Sequence, residues 1–260
     1  QVSPMVKLVS RGDTAVVDAY LSPILRRYVE QVAKELQGGK NTACRLMFMQ
    51  SNGGLAEEKN FRGINSILSG PAGGVMGAIS IAKNSGFKKI ITFDMGGTST
   101  DVAHCLGKIE YRSKTEIEGI SIVAPMVDIH TVAAGGGSVV NFDGVQLKVG
   151  PGSAGSEPGP ACYKRGGPLT ITDCNLLLGF LNPEYFPKCF GKDSNQMLDQ
   201  QVVKTEFEKL IISSNSQQLQ KMNIYQVAEG FIKMANEKMA NAIKKISIDK
   251  GYDACSYSLS

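Results

Sequence analysis

A chain of 260 residues with 42% apolar content is long enough for one large domain or two small ones and can bury a real core. Its 28 basic and 24 acidic residues leave a formal charge of +4, spread along the chain without the basic stripe that nucleic-acid binding needs. No stretch reaches the ~18 uninterrupted apolar residues of a membrane span, so neither nucleic acid nor membrane is an expected partner. Cys44, Cys105, Cys162, Cys174, Cys189 and Cys255 form no CxxC pair, and the two histidines lie far from any zinc-like spacing. In a chain of this length they read as free, reduced thiols and place the protein in the cytosol.

The first predicted element is a helix over DAYLSPILRRYVEQVAKEL, with Leu25, Tyr28, Val29, Val32 and Leu36 at helical spacing and Gly38 as its stop. CRLMFMQ, residues 44–50, predicts a short strand, and SNGG a turn. SGPAGGVMGAISIAKNSG reads as a Gly/Pro loop feeding a helix over 73–84, whose small residues allow close packing on a sheet. KKIITF predicts the next strand. After a turn at Gly107 and Lys108, IEYRSKTEI predicts another. MVDIHTVAAGGGSVV reads as strand, glycine loop, strand, and NFDGVQLKVG as a hairpin turning at Asp143-Gly144.

Residues 150–168 are dense in Gly and Pro and read as a loop. TITDCNLLLGFL starts a helix near Thr172 or Asp173, with Asp173 an N-cap candidate first and a ligand candidate second. Residues 182–195 read as loop and 199–213 as an amphipathic helix. Ala228, Phe231, Ile232, Ala235, Met239, Ala242, Ile243 and Ile246 mark a long core-facing helix. This mixed order predicts layered α/β or α+β packing.

The chemistry concentrates in residues 90–106, IITFDMGGTSTDVAHCL. Glycines after a strand let bare backbone approach an anion and point N–H groups at it. No GxxxxGK[ST] exists here, and Gly150, Gly152 and Gly155, though spaced as GxGxxG, are followed by SEPGPACYKRGG, which is no helix. What remains is a β-hairpin curling around phosphate: strand, Gly96-Gly97 turn, strand, Gly107 turn, strand. Asp94 and Asp101 flank the turn and suit a hard cation such as Mg²⁺. Thr98, Ser99 and Thr100 add hydroxyls. The alternative is an ordinary Gly-rich hairpin with Asx and Ser/Thr turns.

Asp128 and His130, two apart on a predicted strand, face one side. They read as a substrate or metal contact or as a strand-edge polar pair. Gly135, Gly136 and Gly137 read as a ligand approach or a tight turn. Cys162 sits beside Lys164 and Arg165, which would lower its pKa. No positioned base is evident, and a structural thiol is the favoured reading.

Beyond these readings, the residues resemble a family. FDMGGTSTDVA is similar to the second phosphate motif of the hydantoinase A/oxoprolinase family, a branch of the actin-like ATPase superfamily. FMQSNGGL, NSILSGPAGGVMGA, DIHTVAAGGGS, GPGSAGSEPGPACYKRGGPLTITDCNLLLG and KGYD complete the pattern in the family's order, from about Pro4 to Tyr252. The resemblance implies an α/β fold: an actin-like ATPase (ribonuclease H-like) lobe with a mixed sheet, a phosphate-binding β-hairpin and flanking helices.

It also implies ATP and Mg²⁺ as cofactors, and hydrolysis of 5-oxo-L-proline or a related cyclic amide, coupled to ATP hydrolysis, as in glutathione metabolism. In that setting Gly96 and Gly97 hold ATP phosphates. Thr98 and Thr100 bind phosphate oxygens, Asp94 orients the metal or its water, and Asp101 is the second catalytic candidate. N-methylhydantoinase, the nucleotide-binding subunit of an acetone-type carboxylase, and a non-catalytic nucleotide switch are the alternatives.

The resemblance places residues 1–260 in the centre of such a domain, an incomplete fold. An N-terminal lobe with the first phosphate loop, a C-terminal adenosine segment and a hydantoinase B half are expected elsewhere in the parent protein. The full-length protein is expected to be a homo-oligomer, and the isolated piece to be inactive.

Overall fold

The computed structural model describes residues 8–37, 45–117, 119–214 and 216–260. The expected helix stop at Gly38 and the thiol of Cys44 lie outside them. In chain order the elements are α1 (Leu8–Gln37), β1 (Met47–Met49), β2 (Leu55–Glu57), α2 (Gly63–Ser66), α3 (Ser69–Asn84), β3 (Lys89–Met95), β4 (Thr100–Leu106), β5 (Tyr111–Arg112), β6 (Thr115–Ile117), β7 (Ile120–Ile122), β8 (Met126–Val127) and β9 (Ile129–Val132). There follow β10 (Ser138–Phe142), β11 (Leu147–Ser153), α4 (Ile171–Leu177), α5 (Gln200–Ser213), α6 (Gln217–Gln220), α7 (Ile224–Ile246) and β12 (Ser258–Leu259). One sheet has the order β12-β3-β4-β9. It is mixed: β12 runs parallel to β3, whereas the short connection from β3 to β4 permits only an antiparallel pair.

The chain forms two compact units. One extends through residue 92 and takes in 103–129 and 255–260; the other holds 93–102 and 130–254. In the first, α3 buries Ala72, Val75, Ile79 and Ala82 against Ile90, Ala103, Cys105 and Val127. It begins at Ser69, four residues before the expected start. Helix α1 also begins earlier than apolar spacing predicts and runs through Pro23.

Its N-terminal half is fixed by polar contacts. Asp18 accepts from the Ile64 N–H at 3.0 Å, Ser22 Oγ from the Gly63 N–H at 3.1 Å, and buried Thr14 from the Val123 N–H at 2.9 Å. A Cβ on Gly63 would lie 2.7 Å from Leu21 and Ser22 atoms, so glycine sets this helix contact. Hydropathy periodicity is blind to a polar packing face, and Val9, Val16 and Tyr20 stay exposed.

In the second unit the expected stripe on α7 is buried. Ala228, Phe231, Ala235 and Met239 pack with Ile171 and Leu176 of α4, Val203 and Phe207 of α5, and Val140 and Val149 of the β10–β11 hairpin. Gly230 lets Leu147 approach α7, since a Cβ would meet it at 2.6 Å. That hairpin forms as expected, but its loop has four residues: Phe142 pairs with Leu147, and Asp143 Oδ1 accepts from the Val145 and Gln146 N–H groups. The predicted strand over 109–117 is divided into β5 and β6.

Helix α4 starts at Ile171, with Thr170 as N-cap, and this corrects the assignment of Asp173. Asp173 is the third helical residue and reaches back to the Thr170 N–H at 2.8 Å, in the capping-box manner. It also accepts from Thr170 Oγ1 and from the N–H groups of Ala161 and Cys162, so one fully buried carboxylate ties the Gly/Pro loop to α4. Cys162 is itself buried. Desolvation, and next the Asp173 charge, push its thiol up, opposite to activation by its basic neighbours. Those neighbours are engaged elsewhere, Lys164 with Asp199 and Arg165 with Glu157. Cys105, Cys162, Cys174 and Cys189 are free thiols, as the sequence implies.

Burial holds the Asp173 carboxyl above its usual range, against the donors from Cys162 and Thr170. Its folded pKa therefore exceeds the unfolded value of ~3.9, and the folded state binds the proton more tightly. This contribution to stability is complete below about pH 3.9 and is lost as pH rises through the folded value. Urea midpoints measured from about pH 4 upward are expected to carry this falling component in the native protein and to lose it in Asp173→Asn.

Candidate functional site

The tip of the β3–β4 hairpin, residues 93–102, lies in the second unit. Buried Ile90, Ile91 and Thr92 give way to exposed Asp94 and Met95, so the strand leaves the core where its chemistry begins. The Gly96 N–H donates to the Ser99 carbonyl at 2.9 Å and closes the turn. This is the expected strand–glycine–strand hairpin.

Residues 135–137 hold that turn. The Gly136 N–H donates to the Gly96 carbonyl at 3.1 Å, and the Gly137 N–H to the Gly97 carbonyl at 2.5 Å. The Gly135 N–H is taken by Ser138 Oγ at 2.9 Å. All three amides of the second glycine loop are thus used inside the protein.

Their glycines are required sterically. A Cβ on Gly135 would sit 2.7 Å from the Gly96 carbonyl oxygen, and one on Gly137 3.0 Å from that of Gly97. The triple glycine makes the tight turn that the sequence allowed, closed by the Ser138 N–H on the Gly135 carbonyl at 3.1 Å, and is also a backbone-to-backbone contact surface, which the sequence did not describe.

Gly96 and Gly97 differ. Neither adopts a positive φ. A Cβ on Gly97 would meet nothing within 4 Å, and one on Gly96 only the Ser99 carbonyl at an ordinary 3.5 Å. Packing within the protein does not explain glycine at 97.

The hydroxyls and carboxylates separate into anchored and open groups. Thr100 is fully buried and donates to the Ala134 carbonyl at 2.6 Å, with Met239 Sδ at 3.5 Å. It fastens the hairpin to the chain leading into the second glycine loop. Asp101 is half-buried and accepts from Thr131 Oγ1 at 2.5 Å. Thr98 is exposed, with its hydroxyl 3.3 Å from Ser153 Oγ, and Ser99 is half-buried. Asp94 is exposed and makes no hydrogen bond or ion pair among the described residues.

Asp128 and His130 are not on one continuous strand: Asp128 falls in the break between β8 and β9, while His130 lies within β9. Asp128 pairs with Arg112 in the first unit. Among the described residues, no group of three or more His, Cys, Asp or Glu is placed to hold a metal.

Three residues that sequence reasoning passed over belong here. Thr131 anchors Asp101, and Ser153 meets Thr98. Thr172 donates to the Gly136 carbonyl through both its N–H and its Oγ1, each at 2.8 Å. Thr172 and Ser153 stood within recognised motifs. Their partners lie 36 and 55 residues away and leave no local signal.

The hydantoinase/oxoprolinase family model matches residues 11–260. The chain belongs to this family. A 5-oxoprolinase of Saccharomyces cerevisiae is 45% identical over 255 residues, 97% of this chain and 20% of that protein. The nucleotide-free structure of an acetone carboxylase superposes with a TM-score of 0.83 at 27% identity, over 98% of this chain and 35% of that one. The crystal structure of an ATP-dependent caprolactamase from Pseudomonas jessenii superposes at 0.76 with 34% identity, over 99% and 36%. These likenesses bear out the expected family and the mixed α/β fold with flanking helices. The chain spans about a fifth of the length of the curated 5-oxoprolinase relative.

The two kinds of glycine are separable by stability. Gly135→Ala is expected to cost about 1–3 kcal/mol, because its Cβ must displace backbone. Gly97→Ala, with open space, is expected to stay within about 0.5 kcal/mol of the native protein. Urea unfolding of both variants checks the contrast.

Proposed function

We propose that the full-length protein containing this chain is an ATP-dependent 5-oxoprolinase, hydrolysing 5-oxo-L-proline to L-glutamate with ATP, and that this chain supplies one of its phosphate-binding hairpins. The observation that carries the site reading is Gly97: glycine where the protein's own packing needs none, at the tip of a strand, beside an exposed carboxylate. Substrate choice rests on likeness. Identity is 45% to a 5-oxoprolinase, against 34% to caprolactamase and 27% to acetone carboxylase.

On this reading the open amides of Gly97 and Thr98 bind phosphate oxygens, with the Thr98 hydroxyl and the half-buried Ser99 at the rim, while the Gly96 N–H is spent on the Ser99 carbonyl. Thr100 holds the hairpin from beneath. A lactam resists hydrolysis because its amide is resonance-stabilised. Transfer of the terminal phosphoryl group to the lactam oxygen makes the ring carbon electrophilic; water adds there, the C–N bond breaks as the leaving nitrogen takes a proton, and a second water hydrolyses the resulting acyl phosphate to carboxylate and inorganic phosphate. Phosphoryl transfer asks the protein chiefly for positioning and neutralisation of charge.

Mg²⁺ fits the donor set. One or two carboxylates plus phosphate oxygens are its ordinary ligands, and Asp94 is a carboxylate left open at the turn. Asp94 would hold it directly or through water, and the metal would supply charge neutralisation on the phosphates. Asp101, engaged with Thr131, shapes the base of the turn.

The remaining elements of the reading are an upstream lobe with the first phosphate loop, an adenosine segment and a hydantoinase B-type half in the rest of the protein. A cytosolic setting within glutathione metabolism completes it. Among the described residues, no helix is long and apolar enough to cross a membrane.

ATP turnover by the full-length protein is expected to rise on addition of 5-oxo-L-proline and to fall about 10²–10³-fold in Asp94→Ala, the scale of losing one electrostatic stabiliser. Lactam-independent turnover would instead favour a nucleotide switch, and a response to N-methylhydantoin or acetone one of the sister enzymes. The isolated 260-residue chain, a fifth of its relative's length, is expected to show no turnover in the same assay.

A further inference from the structure

The direction of a phosphate-binding amide is set by the carbonyl that shares its peptide plane. In a trans peptide, C=O and N–H point in opposite directions. The cis peptides are at Gly150-Pro151 and Glu157-Pro158, so the Gly96-Gly97 and Gly97-Thr98 peptides are trans. Gly136 and Gly137 draw the carbonyls of Gly96 and Gly97 toward the second glycine loop. The N–H groups of Gly97 and Thr98 must then face away from that loop, and they have no intramolecular acceptor among the described residues.

The second glycine loop is held in turn. The Gly136 carbonyl receives two donors from one residue, the N–H and Oγ1 of Thr172, each at 2.8 Å. Thr172 is the second residue of α4, and Asp173, the next, fixes that helix start through its buried capping contacts. A path of hydrogen bonds therefore runs from the α4 N-terminus through the Gly136–Gly137 peptide, whose N–H holds the Gly97 carbonyl, to the Gly97-Thr98 peptide plane of the hairpin turn.

We propose that Thr172 is a positioning residue for phosphate binding: by holding the carbonyl of the Gly136–Gly137 peptide it sets the Gly137 N–H against the Gly97 carbonyl, and so the outward direction of the Thr98 N–H donor. The inference rests on the proposed reading of the hairpin as a phosphate site. It assigns to residues 135–137 the task of orienting donors, and to the turn at 96–98 that of touching the anion.

The test uses the full-length protein and its Thr172→Val and Thr172→Ser variants, with binding of ATP and of adenosine measured by calorimetry and KM measured for 5-oxo-L-proline. Thr172→Val keeps the shape and the N–H but removes the hydroxyl. It is expected to weaken ATP about five- to tenfold, or about 1.0–1.4 kcal/mol. Adenosine affinity and lactam KM are expected to stay within about twofold, because these readouts do not depend on the donor direction, and Thr172→Ser is expected to restore ATP affinity, because serine keeps the hydroxyl.

Unchanged ATP affinity in Thr172→Val overturns the proposal and leaves the phosphate site standing. Equal losses of ATP and adenosine, or equal losses in both variants, identify a general packing role and also overturn it. If the native full-length protein binds no ATP, the reading of the hairpin fails and the inference with it.

Discussion

Two amide-to-carbonyl bonds, from Gly136 to Gly96 and from Gly137 to Gly97, are the constraint around which the second unit is arranged. In this geometry a Cβ on Gly135 would press on the Gly96 carbonyl at 2.7 Å and one on Gly137 on that of Gly97 at 3.0 Å, so the approach needs glycine. Once the loops are joined, the buried Thr100 hydroxyl has the Ala134 carbonyl beside it, and Ser153 is brought to Thr98. A single neutral hydrogen bond contributes only about 0.5–1.5 kcal/mol, so no one of these contacts fixes the site. Their connection to the apolar core through Ile171 and Leu176 of α4 and Met239 of α7 supplies the rigidity.

The acidic residues that look alike in sequence have different physical situations. Asp173 is wholly enclosed and organises backbone. Asp101 is half-buried and held by Thr131, Asp128 neutralises Arg112, and Asp94 alone of these stands exposed without a protein partner among the described residues. A carboxylate kept in water and unengaged retains its full capacity for a cation, whereas one surrounded by donors has spent it. This separation ranks the candidates by chemistry more firmly than their spacing in the motif did.

One hairpin contacts a polyphosphate from one side. Phosphoryl transfer spreads charge over several oxygens and needs neutralisation from more than one direction, with water excluded. The length of the 5-oxoprolinase relative, about five times this chain's aligned share of it, leaves ample sequence for the opposing groups. On the proposed reading this chain contributes the oriented amides and the Asp94 carboxylate, and activity belongs to the whole.

Local order was legible wherever apolar spacing or glycine punctuation carried it. The α7 stripe, the β10–β11 hairpin, the strand entering Asp94 and the family itself follow from sequence, because a buried helix face and a short antiparallel turn are written in neighbouring residues. The early start of α1 was hidden because Thr14, Asp18 and Ser22 pack through polar contacts. The start of α4 was displaced because Asp173 caps from the third helical position as readily as an N-cap residue does.

What tertiary structure alone decided is which groups are spent and which remain open. Gly96, Gly97, Gly135, Gly136 and Gly137 are identical letters, yet the amides of Gly96 and of 135–137 are spent inside the protein while that of Gly97 stays open among the described residues. Thr100 and Thr98 differ only in burial, and Thr172 has a role only because Gly136 lies against it. Hydrogen bonds between residues tens of positions apart are set by the packing of whole elements, and no local pattern records them.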